Sequence, residues 1–280
     1  MNLTFKSILD ASGFEFSDVD EARSHRTAKT VKALSGLTIA SAVFCAAAYF
    51  TEMPHGTLSV PVLMVMVLAL YQTTIGPKKR MIALLNDKCD PEVFMKKYMT
   101  FLASGISGSD WDEHCFNVAM ALHSAGRFDD GKKVLEVFGK FSLNEKGRFR
   151  LALAKAFYAY EDGDAGVLSD ALYSAKVERQ KIDTTGPLED MYREAEDLPV
   201  MLSVISKRDY KMGFEAFAEH PDRSDHRTNL AKVRLDYFLW TLAKGMDDDY
   251  LIKRYADEIM KIGGTTWYRR EMLSSGKTEE

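Results

Sequence analysis

ALSGLTIASAVFCAAAYF, from Ala33 to Phe50, and TLSVPVLMVMVLALYQTTI, from Thr57 to Ile75, contain no charged side chain and are separated by Thr51, Glu52, Met53, Pro54, His55 and Gly56. At about 1.5 Å per helical residue the runs reach about 27 and 29 Å, close to the roughly 30 Å hydrocarbon thickness of a bilayer. The pattern predicts a transmembrane hairpin over residues 33–76, with spans at 33–50 and 57–75. A buried core hairpin would not need runs this long. A cleavable signal ending near Ala46-Ala47-Ala48 would carry Asp18, Asp20 and Glu21 where a signal n-region is basic.

Basic residues stay cytoplasmic next to a span. Arg23, Arg26, Lys29 and Lys32 precede the first run, Lys78, Lys79, Arg80 and Lys88 follow the second, and the connecting loop has no Lys or Arg. The expected placement is the cell membrane, multi-pass, with both termini cytoplasmic. Neither run contains an ionisable residue, so the pair reads as an anchor in the bilayer rather than an ion path. Gly36 to Ala40 and Ala42 to Ala46 have the small-xxx-small spacing of close helix packing, which serves the second span or a homo-oligomer through the first.

From Pro91 to Glu280 the chain has 28 Lys or Arg and 33 Asp or Glu, a net of −5, which gives no electrostatic footprint for nucleic acid. Cys45, Cys89 and Cys115 are unevenly spaced and form no disulfide framework; they read as free thiols, with Cys89 and Cys115 in a reducing cytoplasm.

After the anchor the apolar periodicity is helical, and helices come in pairs. Cys115, Val118, Ala119 and Leu122 make one face that ends at Ser124-Ala125-Gly126-Arg127. Phe149, Leu153, Ala156 and Tyr160 stop at Asp162-Gly163-Asp164; Met191, Ala195, Leu198, Leu202 and Ile205 lead to Lys207-Arg208-Asp209; Leu230, Val233, Tyr237 and Trp240 run to Lys244-Gly245. With Gly126, Gly163, Arg208 and Gly245 as turn markers the intervals are 37, 45 and 37 residues, the signature of stacked αα hairpins. The longer interval holds the break at 183–187, and Pro199 is expected to kink or start a helix. Ser17 to Glu21 offers caps for a helix entering the first span.

The segment from Asn117 to Leu135 resembles a tetratricopeptide repeat: a small residue in the first helix, the turn Gly126, the aromatic Phe128 two positions on and the small Gly131 after it. Asp209-Tyr210 with Gly213 and Phe217 is similar over a shorter stretch, whereas Ala165 and Asp247 stand where the aromatic belongs in two other pairs. The expected fold is therefore all-α: a two-span hairpin followed by a cytoplasmic, tetratricopeptide-like α-solenoid of about four hairpins over 77–273. Residues 1–32 form a cytoplasmic N-terminal segment, Trp267 to Arg270 a cap over the last hairpin, and 274–280 a disordered tail. The resemblance implies binding of a protein or peptide partner on a concave face.

No catalytic, cofactor or metal motif stands out. His114 and His123 lie half a turn out of phase on one helix. His220 and His226 flank a polar turn, and Asp247-Asp248-Asp249 suits a helix start better than a calcium loop. Glu194 and Glu196 read as solvated acids. Aromatic residues are abundant, and among them Phe238, with Arg234 at i−4 on the flank of the Tyr237 stripe, is the expected partner-binding pair. The functional expectation is a non-catalytic, membrane-anchored scaffold for a cytoplasmic protein. The alternatives are an accessory subunit of an envelope-assembly or secretion complex joined through its spans, and an all-helical enzyme.

Overall fold

The structure is a computed structural model that describes residues 3–15, 21–50, 56–104, 110–183, 186–218 and 228–275. Among the described residues there are thirteen α-helices and no strand. The first four are α1 (Leu3–Ser12), α2 (Glu21–Phe50), α3 (Gly56–Asn86) and α4 (Pro91–Ala103). Four consecutive pairs follow: α5 (Trp111–Ser124) with α6 (Phe128–Gly139), α7 (Glu145–Glu161) with α8 (Ala165–Arg179), α9 (Pro187–Lys207) with α10 (Tyr210–Ala218), and α11 (Asn229–Gly245) with α12 (Asp249–Ile262). Helix α13 (Trp267–Ser275) ends the series. The expected cap at 17–20, the loop at 51–55, Thr184 and Thr185 of the break, the turn holding His220 and His226, and the tail from 276 lie outside the described residues.

Helices α2 and α3 pack on each other, and Arg26–Ala47 and Val60–Asn86 within them are long and apolar enough to cross a membrane. None of the most apolar window of either is buried, and Leu37 (56 % exposed), Phe44 (58 %) and Val65 (63 %) stand uncovered by protein. A core hairpin of a water-soluble domain would bury these side chains.

The later helices start and stop where local chemistry requires. Side-chain oxygens of Asn144, Asp164, Thr228 and Asp248 accept hydrogen bonds from backbone N–H groups two or three residues on, at 2.8 to 3.3 Å. Asp248 confirms the helix-start reading of its acidic run. Turns close through left-handed residues at Gly126, Gly163, Arg208 and Asp247, with φ of 68°, 70°, 58° and 54°. The fourth marker had been expected at Gly245, which instead is the last residue of α11; a Cβ there would lie 2.5 Å from the Tyr210 ring. Pro199 starts no helix, because α9 runs through it.

Helices α5, α7, α9 and α11 pack in sequence, each on the next, with α6, α8, α10 and α12 beside them. Helix α1, expected in a separate N-terminal segment, packs on α4, α5 and α6 and buries Phe5, Ile8 and Leu9 in the common core. Helix α3 passes without a break from its apolar stretch into that core, where Met81 and Leu85 are buried. The boundary expected at residue 77 thus falls inside one continuous helix, at its interior Pro77.

The end of the series meets its beginning. Helix α13 packs on α11 and α12, as a cap should, but Trp267 also meets Phe128 of α6 edge to face at 5.4 Å. Arg270 Nη2 donates to Ala125 O at 2.6 Å. Just before α13, Thr265 N donates to Cys89 O at 2.9 Å and its hydroxyl to Asp90 at 2.8 Å, while Asn229 at the start of α11 donates to Asp87 O at 2.7 Å. The turn between α3 and α4 is pinned from two sides, and the helices enclose a space at their centre.

Candidate functional site

That space is a cavity of about 370 Å³ walled by α5, α7, α9, α11 and α13. Its sides are aromatic and aliphatic: Phe157 and Tyr160 from α7, Leu198 and Met201 from α9, Tyr237 and Phe238 from α11, Trp267 and Tyr268 from α13. Asp162 and Gly163, both exposed, stand at its rim. The volume and the apolar lining are those of a small-ligand site.

A polar strip crosses this apolar wall. Glu194 of α9 and Arg234 of α11 form a two-point ion pair, Nε to Oε1 at 2.5 Å and Nη2 to Oε2 at 2.8 Å, with 9 % and 10 % of their side chains exposed. Burial works against the charge on Arg234, but the carboxylate beside it prevails and holds its pKa above the usual value. The guanidinium also lies over the Phe157 ring, 5.0 Å from its centre. Tyr268 OH is 3.5 Å from Nδ1 of His123, whose Nε2 is 3.3 Å from Glu161 Oε1 but out of line for a hydrogen bond. Arg234 Nη1 and His123 Nε2 are buried behind the cavity surface without a hydrogen-bond partner, and the Trp267 indole lies against Tyr268. Burial raises the phenols of Tyr160, Tyr237 and Tyr268 above their ordinary 10, so the walls present neutral rings.

The two residues singled out in the sequence, Arg234 and Phe238, therefore both reach the cavity. Neither is on an outer face: α11 is surrounded by α3, α9, α10, α12 and α13, so its flank is buried along with its stripe. Phe238 is 3 % exposed and packs edge to face on Phe217 at 5.2 Å. Glu194, read as a solvated acid, is buried, because the guanidinium 40 positions away neutralises it. His123, Glu161, Trp267 and Tyr268 join the site only through tertiary closure, and no local motif marks them.

His114 is taken up elsewhere: its Nδ1 is 2.8 Å from Tyr98 OH, which accepts from Asn117 at 3.0 Å. Cys89 and Cys115 are fully buried, and desolvation pushes both thiols up to about 12, so neither is a nucleophile. Among the described residues no three His, Cys, Asp or Glu side chains are grouped to hold a metal ion. Comparison with protein families, with curated proteins and with solved structures finds no match to this chain.

Proposed function

We propose that the protein is a non-catalytic, membrane-anchored recruiting module. Helices α2 and α3 cross the membrane, basic flanks hold both termini in the cytoplasm, and the tetratricopeptide-like domain binds a partner or its ligand group close to the bilayer. The observation that carries this reading is the cavity, whose aromatic and aliphatic walls suit an apolar ligand group. The continuous α3 supports tethering, since one helix joins the span to the domain.

The test is proximity labelling in cells, with the labelling enzyme fused after Glu280, comparing the native chain with Ile205→Trp, which fills the cavity from α9. A cytoplasmic neighbour labelled by the first and lost with the second supports recruitment through the cavity. Identical membrane-protein neighbours for both would favour the accessory-subunit reading, in which the uncovered faces of α2 and α3 make the contact.

A further inference from the structure

The charges around the cavity do not balance. Of its charged lining residues, Arg234 is spent on Glu194 and Asp162 is held by Lys132 at 2.6 Å. Glu161 is left, 16 % exposed, facing the cavity among tyrosines, with only the ill-aligned His123 beside it. A carboxylate in such a place needs a counter-charge. The aromatic faces of Tyr160, Tyr237 and Trp267 attract the same sign of charge through their quadrupoles, and the face of Phe157 is already occupied by Arg234. A ligand anion would instead meet Glu161 and Glu194 together.

We infer that the cavity binds an organic ammonium group on an apolar body: the ammonium against Glu161 and the aromatic walls, the body against Leu198 and Met201. A free amine of this type and the N-terminus of a polypeptide share that chemistry. This deepens the recruiting reading and rests on it for the role of the cavity.

The experiment is calorimetry on the full chain in detergent micelles with L-phenylalaninamide as probe, beside N-acetyl-L-phenylalaninamide, which lacks the charge, and L-phenylalanine, which adds a carboxylate. Expected is binding of the first, with affinity at least about tenfold weaker for either analogue and for the Glu161→Gln variant. Thermal unfolding of each variant separates loss of the site from loss of the fold. A peptide beginning with free Phe that binds more tightly than the amide identifies a polypeptide N-terminus as the source; one that fails where the amide binds identifies a small amine. Equal binding of the acetylated compound, unchanged affinity in Glu161→Gln, or no binding of phenylalaninamide overturns the inference. Tight, charge-dependent amine binding together with unaltered labelling by Ile205→Trp would instead leave the ligand class standing and remove the recruiting role.

Discussion

At residue scale, one of the contacts that join the first two pairs is a hydroxyl over a missing side chain. Tyr158 OH donates to Ala119 O at 2.7 Å and sits directly over Gly131, in the space a Cβ would fill. Gly131→Ala should therefore push the phenol off its acceptor and cost about 2–3 kcal/mol, well beyond the helix-propensity gain of alanine, read as a fall in the thermal midpoint. Tyr158→Phe leaves the packing and removes the bond, costing about 1 kcal/mol. Gly131 was legible in the sequence because the small residue of a helical hairpin follows its turn at a fixed offset. Its reason was not, since Tyr158 arrives from the next pair. A second residue shows the opposite economy. Burial, with Glu258 nearby, pushes the Asp236 carboxyl from 3.8 up to about 7, against the opposing Arg254 and Lys232. The folded chain thus holds this proton more tightly than the unfolded one, so the group's contribution is complete below about pH 4 and is lost as pH rises through about 7. Asp236→Asn should raise stability at pH 8 by about 2 kcal/mol and change little at pH 4, measured by denaturant unfolding at the two pH values.

At the scale of elements, periodicity and turn chemistry located the pairs because both are local. Gly126 and Gly163 take the left-handed φ that an i, i+3, i+4 stripe ending in glycine predicts. Gly245 misled because glycine has two uses, and here it makes room for Tyr210 while Asp247 takes the strained φ of 54°. Asp247→Gly should stabilise the α11–α12 turn by about 0.5–1 kcal/mol, whereas Asp248→Ala, one residue on, removes the cap on Leu251 N and should cost about 1 kcal/mol; opposite shifts in thermal midpoint from adjacent aspartates check the assignment. Helix α1 escaped notice for a different reason. Its apolar residues Phe5, Ile8 and Leu9 make a stripe too short to stand out, and its partners are distant in sequence, as when Arg127 Nη2 donates to Ser12 O at 2.8 Å.

At the scale of the molecule, closure is the property no local pattern carries. Stacked hairpins read as an open series, and a final helix reads as a lid on its last member. What closes the series is a set of contacts between residues about 140 to 175 positions apart: Tyr268 with His123, Arg270 with Ala125, Thr265 with Asp90. The cavity depends on them, which is why Arg234 and Phe238 could be picked out but not the space they line. The two architectures differ in what depends on α13. Ending the chain after Gly263 removes the Thr265 clamp on the α3–α4 turn, the ring contact of Trp267 with Phe128 and the Arg270 bond to Ala125 O. Hydrogen exchange on the full and shortened chains should then speed up in two places distant in sequence, Ala83 to Asp90 and Ala121 to Arg127, while α8, which packs on α7 and α9, keeps its protection. If α13 were a local lid, faster exchange would be confined to α11 and α12. Because the clamped turn continues directly from α3, loosening there would also relax how the domain sits on that helix, so the same truncation tests whether closure sets the orientation of the cavity relative to α2 and α3.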